Sequence, residues 1–382
     1  MSGTEHLPLH GVRVFEFCEV AAGPFCGLLL ADIGAEVIKV ERHGAGDAMR
    51  QWPPLSNGYS ENFASLNRNK QSICVDVKDP AARDRLFELI ATTGDVVIEN
   101  YRPGVMEGNG FGYEALSERN PKLVYCSLSA FGQTGPRRGE GGFDVTIQAM
   151  SGIMSITGEP GGSSVKAGVP VSDFGTGLYG GFSVVSALLA ARARGKGAYI
   201  DISMLGASLA MCALQTSEFF GTGNEPRKLG SAHPRNAPYR AFKAADVEFV
   251  LAAGNNKLWA SVCQTVERPD LLDDPRFKST LDRATNQEEL KAILEPIFGT
   301  RPASEWIAAF SRVGVPSAPI NTVGAALGDV QTVHLGLVQP VTLPGGRETH
   351  TVISPIRIDG VNLPLRHAPP ELGSATASVT GV

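Results

Sequence analysis

The 382 residues contain no C-x-x-C pair and no clustered excess of lysine and arginine. Six scattered cysteines (Cys18, Cys26, Cys74, Cys126, Cys212 and Cys263) do not make a disulfide framework in a chain this long. They read as buried thiols of a reducing compartment, so a cytoplasmic or organelle-matrix location is expected. Without a ligand cluster no metal is assigned. The formal net charge of −5 lacks the basic footprint of nucleic-acid binding, so no nucleic-acid partner is expected. The opening MSGTEHLPLHG has no apolar core flanked by basic residues, and no secretory signal is expected. The longest nearly apolar stretch, Phe182 to Ala191, is about half of what a bilayer span needs, so no membrane partner is expected. No internal repeat is evident. At 43% hydrophobic and 19% charged residues, the composition is that of a globular chain with room for two domains.

What is present alternates between strand and helix signals. Gly11–Phe17 reads as a strand, Gly23-Pro24 opens a helix to about Ile33, and Ala35–Arg42 is a second strand. This βαβ pattern resembles a dinucleotide-binding unit, with Glu41 near the position of a ribose acid. The turn Val20-Ala21-Ala22-Gly23-Pro24 nevertheless lacks G-x-G-x-x-G, and its proline removes an N–H, which argues against NAD or FAD. Strands at Ser72–Asp76, Asp95–Asn100 and Lys122–Leu128, with a helix from Pro80, imply a mainly parallel sheet covered on both faces. Ligands of such sheets gather at the carboxyl ends of the strands, so the loops after Phe17, Arg42, Asp76, Asn100 and Leu128 are candidates. The expected organisation is α/β: a large Rossmann-like domain over 1–220, a linker or lid over 221–238, a small α/β domain over 239–323, and an extended, proline-rich segment over 324–382. The polar connection 43–71, which carries Trp52, is too long to be idle.

The stretch Val165–Ala207 anchors the reading. It has a proline-bearing approach, a Gly-rich turn with Asp173, an apolar helix over Leu178–Ala193 stopped by Gly195-Lys196-Gly197, and a strand over Ala198–Ser203. Because the run is apolar on nearly every face, the helix is expected to be packed inside a domain. Asp173 is either an N-cap or a free carboxylate at the positive end of that helix, kept ionised and able to act as a nucleophile. Thr176 offers itself as the cap instead, and Gly175 and Gly177 leave room for a large group to approach.

Taken in order, several motifs resemble one family, the class III coenzyme A transferases. They are GVRVFEF, AGPFCGLLLADIGAEVIKVERHGAGD, NRNKQSICVDVKDP, VIENYRPG, YCSLSAFGQTGP, FDVTIQAMSG, VPVSDFGTG, GKGAYIDISM, GVPSAPINT and HAPPELG. The pieces GSAH, PYRAFK, LAAGNN and HLGLV look most like the branch acting on succinyl-CoA and dicarboxylates such as glutarate or hydroxymethylglutarate. The resemblance implies a Rossmann-like large domain with a small α/β domain in an interlocked homodimer. It also implies no tightly bound cofactor, and acyl-CoA and a small carboxylic acid as substrates. It makes Asp173 the nucleophile and places Asp144 beside it; Gly175 in the same turn and the 230–236 lid are expected to serve the transient oxyanions and the exclusion of water. CoA contacts fall on Val20, Ala21, Arg42, Val75, Lys78, Asn100, Tyr101, Arg102 and Met204. Trp52, His233 and Arg235 fall to the substrate and lid, with the last two suited to the far carboxylate of a dicarboxylic acid.

Ala21 stands where oxalate-type relatives carry glutamine, and Gly108 and Gly141 stand where they carry basic CoA contacts. Arg102 or Arg137 is expected to replace those contacts. An α-methylacyl-CoA racemase of the same fold needs a proton carrier in the segment that here reads Gly142-Phe143-Asp144, and phenylalanine cannot carry a proton. A catalytically silent CoA-binding protein is the other alternative, and the intact Asp173 turn argues against it.

Overall fold

The computed structural model describes residues 6–381. Residues 1–5 and 382, the outer ends of the first and last expected segments, lie outside them. Two units are present, one built from Met1–Met154, Lys166–Glu225 and Val330–Val382, the other from Ser155–Val165 and Pro226–Asp329.

The first unit begins β1 (Arg13–Phe17), α1 (Ala22–Asp32) and β2 (Glu36–Arg42). The connection that follows is structured, with a 3-10 turn (Ala48–Gln51), the small pair β3 (Leu55–Ser56) and β4 (Tyr59–Ser60), and α2 (Glu61–Asn67). Next come β5 (Lys70–Val75), α3 (Pro80–Thr93), β6 (Val96–Glu99), α4 (Val105–Gly108), α5 (Tyr113–Arg119) and β7 (Val124–Ser129). After α6 (Asp144–Met150) and the short α7 (Ile153–Ile156) come α8 (Val171–Arg194), β8 (Ala198–Ser203), α9 (Met204–Met211) and α10 (Ala213–Thr222).

Six of these strands form one parallel sheet in the order β5-β2-β1-β6-β7-β8. Alternate residues serve opposite faces: Val14, Val37, Ile98 and Cys126 pack with Leu30 and Val184, while Phe15, Ile38, Val97 and Tyr125 pack with Leu86 and Ile90. Chain order reverses between β1 and β6, which opens a crevice at their carboxyl ends. The Gly-Pro start of α1 has a steric cause. A Cβ on Gly23 would lie 2.3 Å from Cys18 Sγ, and one on Gly27 would lie 1.8 Å from Glu16 Oε2.

Three sequence expectations are corrected here. Helix α8 begins at Val171, so Asp173 lies inside its first turn and not ahead of it. Pro170 occupies the N-cap position, and Thr176 is no cap, its hydroxyl donating to Ser172 O one turn back. Nor is α8 enclosed on every side, since Leu178, Phe182, Val185 and Leu189 form an exposed stripe, with Phe182 73% and Leu189 74% exposed. At 24 residues α8 has the length and apolarity to cross a bilayer, a test that a helix packed in a globular core also passes; its inner face packs on α1 and β7.

In the second unit β9 (Tyr239–Lys243), β10 (Glu248–Ala252) and β11 (Ser317–Pro319) form an antiparallel sheet with β10 central. Helices α11 (Asn256–Thr265), α12 (Thr280–Thr285), α13 (Gln287–Phe298) and α14 (Ala303–Arg312) accompany it, around a core that includes Phe249, Phe298, Trp306 and Phe310.

The tail is not extended throughout. It contains α15 (Val323–Leu327), α16 (Val330–His334), the hairpin β12 (Val338–Leu343) and β13 (Arg347–Val352), the small pair β14 (Arg357–Ile358) and β15 (Val361–Asn362), and α17 (Thr376–Thr380). Its last part runs along the β5 edge, where Ala375 N–H donates to Ser72 O and Cys74 N–H donates to Thr376 Oγ1.

Candidate active site

Two chambers sit at the carboxyl ends of the strands of the first unit. The smaller, about 380 Å³, brings together Val20, Ala21, Asn100, Tyr101, Arg102, Asp173 and Met204. The larger, about 590 Å³, is lined by Arg42, Val75, Lys78 and Tyr101 among others. Glu19 and Tyr101 belong to both walls. Their combined volume is in the range of sites for small molecules and cofactors.

Asp173 is brought to the smaller chamber by the first turn of α8, and the start of that helix is fixed by residues distant in sequence. Ser172 N–H donates to Asp144 Oδ1 at 2.9 Å, and Gln148 Nε2 donates to Asp144 Oδ2 at 2.6 Å. Ser208 Oγ meets Ser172 Oγ at 2.8 Å, and Ala167 N–H donates to Gln148 Oε1. Asp144 is therefore consumed by structure, since both of its oxygens accept hydrogen bonds. The carboxylate of Asp173 accepts none from any described residue and opens on the chamber. Burial, and secondarily the Asp144 carboxylate, push its pKa up to about 7. The amides at the start of α8 pull the other way without reversing this. The sequence expectation of a carboxylate kept fully ionised is corrected accordingly: near neutrality the two forms coexist.

The glycines of this turn do not provide ligand space. A Cβ on Gly175 would lie 2.4 Å from Met211 Cε, so the room above it is filled by α9, and Gly175 is absent from the chamber wall. A Cβ on Gly177 would lie 2.8 Å from Ala22 O and 2.9 Å from Phe25 Cδ1. These glycines let helices approach closely, and Asp173 is placed by that packing.

The opposite wall is the loop between β1 and α1. Asn100 pins it with both ends of its amide, Oδ1 accepting from Glu19 N–H at 2.9 Å and Nδ2 donating to Glu19 O at 2.8 Å. Val20 sits at φ +65°, and its N–H donates to Asp47 Oδ1. The first amides of α1 have no side-chain cap, and Ala21 and Ala22 are in the wall. Arg102 reaches the chamber beside Gly141, where a Cβ would lie 2.8 Å from its Nη2. Arg137 is instead paired with Glu140 at 2.9 Å.

In the larger chamber Arg42 is held by Glu19 at 3.0 Å, while Lys78 is exposed. Trp52 is 43% exposed and lines neither chamber. His233 and Arg235 belong to the second unit, where the His233 ring packs on Tyr239 at 5.1 Å and its Nδ1 accepts Arg235 N–H at 3.1 Å. Burial and the Arg235 charge lower the His233 pKa. Glu19 was not singled out in the sequence, although it lies two residues after Phe17, in a loop expected to belong to the site. Ser208 gave no local signal, because its partner Ser172 is 36 residues away in sequence, and Gln148, one turn after Asp144 on α6, was not singled out. Among the described residues no group of His, Cys, Asp and Glu is arranged to hold a metal ion.

Comparison with known proteins places this geometry. Residues 9–376 match the profile of CoA-transferase family III. The chain is 38% identical over 373 residues to succinyl-CoA:glutarate CoA-transferase of Mus musculus, covering 97% of this chain and 85% of that protein. It is 37% identical over 361 residues to acetyl-CoA:oxalate CoA-transferase of Acetobacter aceti, covering 94% and 90%. The crystal structure of a CAIB/BAIF family protein from Brucella suis superposes with a TM-score of 0.86 at 34% identity, covering 98% and 99% of the two chains.

Proposed function

This chain belongs to CoA-transferase family III, and from that premise we propose that it moves CoA from succinyl-CoA to a dicarboxylic acid by covalent catalysis at Asp173. The observation that carries the reading is the Asp173 carboxylate itself, free of hydrogen bonds and facing a cavity at the switch point of the sheet.

In the reaction, an oxygen of ionised Asp173 attacks the thioester carbonyl carbon. The C–S bond breaks, leaving a mixed anhydride and CoA thiolate. The thiolate attacks the aspartyl carbonyl of the anhydride, releasing succinate and forming an aspartyl-CoA thioester. The acceptor carboxylate attacks that thioester, expelling thiolate and forming a second anhydride. Attack of thiolate on the acceptor acyl carbon yields the new CoA ester and frees Asp173. Each anhydride or thioester keeps the acyl group activated, so the chamber must exclude water. Uncapped amides at the start of α1 are suited to receive the transient oxyanions.

In this reading the thioester lies in the smaller chamber, along Val20, Ala21, Asn100, Tyr101 and Met204. The nucleotide end of CoA occupies the larger one, beside Arg42, Val75 and Lys78, with Arg102 near the passage. The exposed apolar stripe of α8 supports a homodimer. Glutarate is the proposed acceptor over oxalate. The oxalate enzyme of A. aceti is nearly as similar overall, but Ala21 has no amide with which to hold a short dianion.

Incubating the protein with succinyl-CoA and a panel of acids, with the CoA esters read by mass spectrometry, tests the reading. Glutaryl-CoA is expected to form. Absence of any acyl-CoA product with every acid would overturn the assignment.

A further inference from the structure

Under the Val20–Ala21 loop lies a set of charges sealed from solvent. Glu16 and Lys39 are fully buried, and Asp47 and Lys70 nearly so. Lys39 Nζ stands 3.0 Å from Glu16 Oε1 and 3.0 Å from Asp47 Oδ2, and Lys70 Nζ stands 2.8 Å from Glu16 Oε2. Burial of this kind is costly unless each charge is paired, so these charges hold one another in place. Asp47 Oδ2 and Glu16 Oε2 are buried, and the facing ammonium groups of Lys39 and Lys70 are their ion-pair partners. None of the four residues lines the smaller chamber.

The set grips the loop from below at two points. Lys39 Nζ donates to Cys18 O at 2.6 Å, and Asp47 Oδ1 accepts Val20 N–H at 3.1 Å. Between these points Val20 adopts φ +65°, a conformation unfavourable for a β-branched residue and kept only where the surroundings over-determine it. Asp47 is also fixed from behind, its own N–H donating to Glu41 Oε2 at 2.9 Å. An Asp that merely started the 3-10 turn through Met49 N–H would need neither burial nor the Lys39 partner.

We propose that Asp47, backed by Lys39, is a positioning residue that fixes the Val20–Ala21 wall against Asp173, so that the thioester carbonyl is presented at attacking distance. The inference rests on the transferase reading above. Asp47 touches no reacting atom; it acts through the Val20 amide. A wall displaced by about an ångström costs an enzyme up to roughly 100-fold in rate. The larger chamber does not include Asp47, so CoA binding there is untouched.

The test is steady-state kinetics of CoA transfer from succinyl-CoA for the full chain and for Asp47→Asn and Lys39→Met, each checked for folding by circular dichroism. The wild type is read first, and no CoA transfer by it would overturn the transferase reading itself. Given wild-type activity, both variants are expected to lose about 10- to 100-fold in kcat with KM for succinyl-CoA changed less than about threefold. Wild-type kcat in a folded variant overturns the positioning role, and so does a loss expressed wholly in KM. If neither variant folds, amide exchange of the wild type decides. The Val20 amide is expected to exchange at least about 100-fold more slowly than exposed loop amides, and exchange at the exposed-loop rate overturns the proposal.

Discussion

Replacing Asp173 by Asn should abolish transfer and stabilise the protein, and the second effect has a pH dependence fixed by the site. Burial and the Asp144 charge raise the Asp173 pKa from 3.8 to about 7. The native state therefore keeps a proton that the unfolded chain has already released, so this group's contribution to stability falls as pH rises from about 4 to about 7. At roughly 1.4 kcal/mol per tenfold change, the whole displacement corresponds to about 4 kcal/mol. Because the carboxylate faces an open chamber, a discounted figure on the order of 2 kcal/mol is the expectation at pH 8. Asparagine has the same shape and no charge to desolvate. Asp173→Asn should thus raise the melting temperature by roughly 2–5 °C at pH 8, with no gain near pH 4. CoA transfer should fall at least ~1,000-fold, since an amide does not replace the nucleophile. Scanning calorimetry at the two pH values, run beside the transfer assay, checks both. A variant that turns over normally, or whose stability offset is the same at pH 4 and pH 8, would refute the reasoning. For the wild type, kcat/KM should rise with pH through about 7 as the nucleophile loses its proton.

Three further outcomes are expected. Gly177→Ala drives a Cβ into the α1 backbone at Ala22 O and should cost about 1–3 kcal/mol with loss of transfer. Gly175→Ala meets only the flexible end of Met211 and should cost less, and denaturant unfolding compares the two. Arg42→Ala and Lys78→Ala should each raise KM for acyl-CoA about 3- to 10-fold, an effect that shrinks as salt is added, with kcat nearly unchanged. Phe182→Glu puts a charge in the exposed α8 stripe and should break the proposed homodimer, read as a fall in mass by light scattering.

The alternation of strands and helices was legible because each strand is a short apolar run bounded by turn residues, and the parallel sheet follows from it. Gly195 was legible as a stop because its left-handed conformation, φ +71°, suits glycine. The start of α8 was not. Pro170, Ser172, Asp173 and Gly175 are poor helix formers, and the turn is held by Asp144, 28 residues away in sequence. For the same reason Gly175 and Gly177 looked like open space, when the structure fills that space with Met211 and α1. The α8 stripe was misjudged because a helix apolar all round has no polar face to mark its exposed side. The tail resisted reading because its short helices and hairpins lie between prolines and lack a sustained period. Several lining residues at or just past strand ends, among them Val20, Arg42, Asn100, Tyr101 and Met204, were nevertheless legible.

The central claim is a covalent bond at one carboxylate, and peptide chemistry isolates it. Trypsin releases Ala167–Arg192, in which Asp173 is the sole acidic side chain. After brief incubation with succinyl-CoA and hydroxylamine, which captures activated carboxyls as hydroxamates, mass spectrometry should find that peptide carrying one hydroxamate, located on Asp173. An unmodified peptide from protein actively turning over succinyl-CoA would contradict the account.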